Sequence, residues 1–232
     1  MIAENIQNIE ENLKKTCLRA GRDPGEVKLI VVSKTFGAEK IGEAFEAGVV
    51  DFGENYVQEL IEKRKVLLET NIQWHFIGHL QTNKVKYISE WIHLIHSVDS
   101  KGLAEEIQKR AEKNNRLIDV LVEVNTSEEA TKFGIKPEKA IELLKVFSGL
   151  SHVNLKGLMT IGPFTDHKDE SRVSFKLLRS IYDEANSSGI LRHPLTILSM
   201  GMTHDYEIAI EEGSTMVRIG TAIFGSRTKL IN

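Results

Sequence analysis

Over residues 2–20 the apolar positions Ile2, Ile6, Ile9 and Leu13 recur at helical spacing, with Glu, Asn and Lys between them. This pattern predicts an amphipathic helix with one buried stripe, stopped at Gly21 and followed by Pro24. The periodicity then changes. In Val27-Lys28-Leu29-Ile30-Val31-Val32-Ser33 the apolar core from Leu29 to Val32 is continuous and rich in β-branched residues, as in strands buried on both faces of a parallel sheet. From there a short apolar strand, a loop and a helix repeat along the chain. Further strands are predicted at Val49–Phe52, Ile72–Ile77, Leu94–Val98, Ile118–Val124, Leu155–Ile161, Leu195–Ser199 and Met216–Ile219. Helical segments are predicted at Ala38–Ala47, Tyr56–Glu69, Lys101–Asn114, Glu138–Phe147, Glu170–Asn186 and His204–Glu212. Strands alternating with helices imply right-handed βαβ units and a parallel sheet. Eight strands behind one leading helix predict an α/β fold, a single (β/α)8 TIM-type barrel over residues 1–232, ahead of an open doubly wound sheet. No linker or low-complexity stretch interrupts the pattern.

Composition narrows the class. The 232 residues are 41% hydrophobic and 27% charged, enough for a substantial core and far from a disordered composition. Thirty basic against 33 acidic residues leave a net charge of −3, without the basic footprint of a nucleic-acid binder. A single cysteine, Cys17, excludes an internal disulfide and a multi-cysteine zinc site. The opening MIAENIQNIEENLKK has no apolar signal region, and no apolar run approaches the roughly 18 residues of a membrane span. The expectation is a soluble cytoplasmic protein, in which the sequons Asn125-Thr126-Ser127 and Asn186-Ser187-Ser188 are chance matches.

In a barrel of this kind, chemistry belongs at the C-terminal ends of the strands. Lys34 caps the most apolar strand. Desolvation there would lower its pKa and make the amine a nucleophile toward a carbonyl, unless the side chain snorkels to water. Ser199-Met200-Gly201-Met202-Thr203 and Arg218-Ile219-Gly220-Thr221 follow strands seven and eight, where barrels frequently hold a phosphate. Gly201 and Gly220 would let backbone amides approach an anion, or are ordinary turn glycines. Ser199 and Thr221 could add hydroxyls, and Thr203 is a candidate N-cap for the helix near His204. Arg218 points to the same side as Gly220, one layer deeper, and needs an acceptor: a ligand atom or a core carboxylate. An aldehyde for Lys34, a phosphate for the glycine segments and a ring nitrogen for Arg218 converge on pyridoxal 5′-phosphate. Strands one and eight are neighbours in a closed barrel, so the two side chains fall near each other.

The segments that carry a resemblance run almost the length of the chain. They are Leu29-Ile-Val-Val-Ser-Lys34-Thr-Phe36, Phe52-Gly-Glu-Asn55-Tyr-Val-Gln-Glu59 and Trp74-His-Phe-Ile-Gly78-His-Leu-Gln-Thr-Asn-Lys84. Later come Gly157-Leu-Met159-Thr, Leu198-Ser-Met-Gly-Met202 and Val217-Arg-Ile-Gly-Thr221. Together they resemble the pyridoxal phosphate homeostasis protein family, whose barrel is similar to the N-terminal barrel of alanine racemase (fold-type III). The resemblance implies Lys34 as the Schiff-base lysine, with Ser199, Gly201, Gly220 and Thr221 on the phosphate. It also implies Arg218 near the pyridine nitrogen, Asn55 near the ring and Met159 among the cofactor contacts.

Other motifs carry less. His75 and His79 have the i, i+4 spacing of a helical zinc site but lie at a strand–loop junction, without the adjacent Glu or a third ligand in sequence reach, so no metal is expected. P-loop and dinucleotide fingerprints are absent, and Ser33, Ser97 and Ser199 lack a nucleophile-elbow context. Lys63, Arg64 and Lys65 read as a solvated helix face, and the role of the loop Thr131–Ile135 is left open. A racemase would need a second base opposite Lys34. In the racemase that base is a tyrosine from a separate C-terminal β domain, whereas this chain ends at Asn232, seven residues after Gly225. Tyr56 and Tyr206 are the candidate substitutes. A cation beside the pyridine nitrogen would also keep it unprotonated and weaken the ring as an electron sink. The expectation is therefore a non-catalytic, monomeric carrier that buffers pyridoxal 5′-phosphate reversibly through Lys34 within intracellular cofactor homeostasis, with effects on amino-acid and keto-acid metabolism. Its partners would be the cofactor and, transiently, apo-enzymes that receive it. The alternative is a minimal amino-acid racemase, and a phosphosugar-binding barrel with an aldolase-type Lys34 ranks last.

Overall fold

The computed structural model describes residues 1–127, 129, 132–165 and 167–225. Eight parallel strands close into a barrel in chain order: β1 Lys28–Val32, β2 Asp51–Glu54, β3 Gln73–Phe76, β4 Leu94–Val98, β5 Ile118–Glu123, β6 Val153–Met159, β7 Ile197–Ser199 and β8 Met216–Ile219. Between and around them lie α1 Ile2–Arg19, α2 Ala38–Glu46, α3 Val57–Val66, α4 Lys101–Lys113, α5 Pro137–Val146, α6 Lys168–Ser187, α7 Tyr206–Glu211 and α8 Thr221–Phe224. β1 pairs with β2 through Val31 opposite Phe52 and with β8 through Ile30 opposite Arg218, which closes the ring.

The predicted strand count and order hold, and the boundaries move by one to two residues at most ends. Two elements differ in kind. Between β3 and β4 the chain makes a 3-10 turn, Thr82–Tyr87, and the short α8 follows β8 where none was predicted. The helix expected from His204 starts at Tyr206, with Asp205 at its cap, so Thr203 is not a capping residue. Instead the Met202 amide donates to Asp205 Oδ1 at 2.6 Å, which shapes the turn ahead of the helix. The Asp205 and Tyr206 amides, which a threonine cap at 203 would have served, donate instead to the Met202 carbonyl.

Two apolar layers follow from strand alternation. Residues such as Val31, Phe52, Trp74, Ile95 and Val217 pack outward against the helices. Ile30, Leu94, Leu121, Met159 and Met216 meet inside the barrel. Burying a side chain such as Phe175 or Phe52 contributes roughly 1.5–3 kcal/mol. Strand spacing also selects one glycine: a Cβ on Gly157 would lie 1.9 Å from the Ile197 carbonyl oxygen on β7. The leading helix α1 lies against α2, α7 and α8, pinned by Asn5 Nδ2 donating to the Ile223 carbonyl at 2.8 Å. Among the described residues no helix is long and apolar enough to cross a membrane.

A candidate site at the mouth of the barrel

At the C-terminal ends of the strands a cavity of about 260 Å³ opens between Lys34, Asn55, Thr203, Arg218, Gly220 and Thr221, walled by Phe36, Ile77, Ile161 and Met202. Its first member, Lys34, leaves the end of β1 half-buried. The next residue, Thr35, has φ 71°, a left-handed conformation that a β-branched residue adopts at a cost of about 1–2 kcal/mol. The turn is held from below. The Thr35 amide donates to Glu59 Oε1 at 2.5 Å. Lys63 Nζ donates to the Ser33 carbonyl at 2.7 Å, to Glu54 Oε1 at 2.6 Å and to Glu59 Oε1 at 2.5 Å. Ser33 Oγ donates to the same Glu54 oxygen at 2.6 Å.

This network corrects the solvated-face reading of α3. Lys63 is 5% exposed, because it shares the inward stripe of the helix with Leu60. Of the three cations only Lys65 is exposed, while the Arg64 guanidinium stacks over Trp91 at 4.6 Å. Burial pushes the Glu54 carboxyl above its ordinary value, with the Lys63 ammonium opposing. Replacing Glu59 with alanine is expected to cost about 1–2 kcal/mol, since hydrogen bonds to charged groups contribute about 1.5–3 kcal/mol and this carboxylate is partly exposed. Urea unfolding should show a lower midpoint at unchanged slope; an unchanged midpoint would mean the turn stands without it.

Across the mouth, a Cβ on Gly220 would lie 2.9 Å from the Val32 carbonyl oxygen, so only glycine lets β8 close onto β1 here. Thr221 Oγ1 donates to Thr203 Oγ1 at 3.1 Å, joining the loops after β8 and β7 over the cavity. Arg218, on β8, is buried at the cavity floor. Its Nη1 donates to Ser199 Oγ at 2.6 Å and its Nη2 to the Thr160 carbonyl at 2.8 Å. Burial draws its pKa down to about 10, with Asp205 and Glu123 opposing, so it remains a cation at neutral pH. The acceptor left open between a ligand and a core carboxylate is thus in part neither: a hydroxyl and a main-chain carbonyl hold it.

Not every residue expected at the mouth is there. The Ser199 hydroxyl faces the barrel core, 2.9 Å from His96 Nδ1, and does not line the cavity; Thr203 supplies the hydroxyl on that side. Gly201 is buried at φ 94°, where a Cβ would lie 2.5 Å from Ala209 Cβ, so its glycine serves the packing of α7. Met159 sits in the inner apolar layer, below the cavity lining. Asn55 does line it, and its Oδ1 is buried without a hydrogen-bond partner among the described residues. Tyr56 is largely exposed and Tyr206 is buried on α7; neither lines the cavity.

Other polar groups went unread in the sequence. Glu123, the last residue of β5, is buried, and its carboxyl is pushed up to about 7 by burial and by Asp99, with Arg218 opposing. His79 is 3.5 Å from Asp99 and stacks on Phe133 in the loop whose role the sequence left open; Thr131 of that loop lies outside the described residues. His75 points elsewhere, into the barrel, and so shares no site with His79. At the barrel base Asp51, His75 and His93 bring ligand-type atoms within 4.8 Å of one another, and the Lys28 ammonium, 3.2 Å from Asp51, already supplies positive charge there. The signal available beforehand was a polar residue at an alternating position inside an apolar strand, as in Trp74-His75-Phe76 and Ile95-His96-Ser97.

Comparison with known proteins places this geometry in context. The profile described as "Alanine racemase, N-terminal domain" matches residues 5–228. The chain is 47% identical to the pyridoxal phosphate homeostasis protein of Aquifex aeolicus, with 97% of each chain covered. It superposes on PipY of Synechococcus elongatus, solved with PLP bound, at a TM-score of 0.84 and 36% identity, covering 97% of this chain and 100% of that one. Alanine racemase of Clostridium difficile shares the fold at a TM-score of 0.74 and 17% identity, over 98% of this chain and 58% of its own.

Proposed function

The chain belongs to the pyridoxal phosphate homeostasis protein family, and from that premise we propose that it holds pyridoxal 5′-phosphate reversibly at the barrel mouth and serves intracellular homeostasis of that cofactor. The observation that carries the reading is the placement of Lys34 and Arg218 on one cavity, with Gly220, Thr221 and Thr203 on its rim. The donor set fits the group. A lysine is available for a carbonyl, a guanidinium for a ring nitrogen, and threonine hydroxyls beside a chain turn for a phosphate. The unpartnered Asn55 Oδ1 leaves an acceptor for a ligand hydroxyl.

When bound, the cofactor supplies an aldehyde carbon that the Lys34 amine can bond with loss of water. Every other part belongs to the protein. Glu59 and Lys63 hold the turn that aims Lys34. Arg218, fixed on Ser199 and Thr160, presents a permanent donor at the floor. Gly220 brings the end of β8 against β1, so the rim and the lysine face the same space. Among the described residues no tyrosine lines the cavity, so the tyrosine base that the racemase sets opposite its lysine has no counterpart here, which favours holding over racemisation. An open mouth suits exchange with apo-enzymes.

The purified protein incubated with pyridoxal 5′-phosphate is expected to show the visible band of a lysine imine, absent in Lys34→Ala, and no sustained turnover of alanine or serine. Racemisation at ordinary enzymatic rates would make it an enzyme. A protein that stays colourless would end the proposal.

A further inference from the structure

A column of hydrogen bonds runs through the barrel from its base to Arg218. At the base Asp51 Oδ1, on the first residue of β2, lies 3.2 Å from Lys28 Nζ and 2.9 Å from His75 Nε2. His75 Nδ1 lies 2.9 Å from His96 Nε2, and His96 Nδ1 lies 2.9 Å from Ser199 Oγ. Ser199 Oγ in turn accepts from Arg218 Nη1 at 2.6 Å. Asp51, His75, His96, Ser199 and Arg218 are all buried, and they come from five different strands.

The two ends leave one proton order. A carboxylate only accepts and a guanidinium only donates, while a neutral imidazole does one of each. His75 must give its Nε2 proton to Asp51, so its Nδ1 accepts. His96 must then carry its proton on Nε2 and accept at Nδ1, which the Ser199 hydroxyl fills. Ser199 is left with its lone pairs toward Arg218. Reversing any link would set two donors or two acceptors against each other. Burial holds both histidines below their ordinary pKa, with Lys28 and His93 as the charged and titratable neighbours at the base and Arg218 at the top, so the neutral forms this order requires are the ones present.

We propose that Asp51, His75 and His96 are positioning residues for Arg218: their column commits the Ser199 hydroxyl proton downward, so that Ser199 receives the guanidinium and Arg218 keeps its remaining donors for the ring nitrogen of a ligand at the mouth. The proposal rests on the cofactor reading above and deepens it. Asp51 touches no ligand, yet its charge sets the direction of every bond above it. In Asp51→Asn the amide can donate to His75 Nε2, both rings can reverse, and the His96 Nδ1 proton then competes with Arg218 for the Ser199 oxygen.

The test has two stages, so that its failure and that of the cofactor reading are told apart. First, 15N NMR of the side chains, without added cofactor, should show both His75 and His96 as Nε2–H tautomers in the native protein. A proton on Nδ1 of either ring overturns the column whatever the mouth binds, and this stage needs no variant that might fail to fold. Second, the protein is loaded with pyridoxal 5′-phosphate labelled at the ring nitrogen. Asp51→Asn, and independently His96→Leu, should shift that nitrogen's resonance toward its value in the free cofactor, while Lys28→Ala, which keeps the carboxylate, leaves it in place. If both variants fold and the resonance does not move, the column is structural only and the proposal fails. Native protein that takes up no cofactor overturns the reading above, and this role with it.

Discussion

Lys63→Met is expected to destabilise the protein by about 3–5 kcal/mol, the range for removing one partner of a buried ion pair. The side chain is nearly isosteric, so little volume is lost. What remains is the Glu54 carboxylate, fully buried, with Ser33 as its only other partner on Oε1 and none on Oε2 among the described residues. Burial already raises the Glu54 pKa against the pull of Lys63, and without the ammonium the group must take up a proton or stay charged in an apolar place. The Ser33 carbonyl also loses its donor, which loosens the turn beneath Lys34. Denaturant unfolding of Lys63→Met and of the double variant Glu54→Gln/Lys63→Met separates the causes. The double variant should recover much of the loss, because no fully buried charge is left unpaired: Glu59 also loses Lys63, but it is partly exposed and keeps the Thr35 amide. A single-variant cost below about 1 kcal/mol, or a double variant less stable than the single, would contradict a buried pair as the anchor.

Glu123→Gln is expected to act in the opposite direction, and only at higher pH. The folded protein keeps a proton on Glu123 up to about 7, against an ordinary value of 4.5. Between those values the folded state holds a proton that the unfolded chain has released, so stability falls as pH rises. The slope is about 1.4 kcal/mol per pH unit, which sums to roughly 3 kcal/mol by pH 7 and then levels off. Glutamine keeps the shape and removes the titration. At pH 8 the variant should therefore unfold at a Tm higher by about 5–10 °C, while at pH 4.5 the two proteins should nearly coincide. Parallel stability curves from pH 4.5 to 8 would show that Glu123 stays ionised in the fold.

The main features of the barrel were legible in the chain because they depend on short-range patterns. Continuous β-branched runs such as Leu29–Val32 need two covered faces, and helical spacing in Ile2, Ile6, Ile9 and Leu13 needs one. The strand-end rule then pointed to Lys34, Arg218, Gly220 and Thr221 and the family resemblance to Asn55, all of which line one cavity. Where the reading slipped, a local pattern had two outcomes and a distant contact chose between them. Lys63 sat in a run of three cations that looked solvated, and the buried Glu54 of β2 drew it inward. Ser199 was a hydroxyl at a strand end beside two glycines, and His96, 103 positions away, turned it into the core. Thr203 looked like a cap, and Asp205 occupied that place.

By itself, then, the order of residues determined how many strands form, in which succession, and which polar types stand at the strand ends, because those depend on periodicity within a few residues. The closed ring alone decided which polar groups meet across the interior: Ser199 with Arg218 and with His96, and His75 with Asp51. The reason is geometric. Inward side chains of eight strands share one axis, so their partners are set by register and tilt around the barrel, quantities that no local stretch of sequence contains.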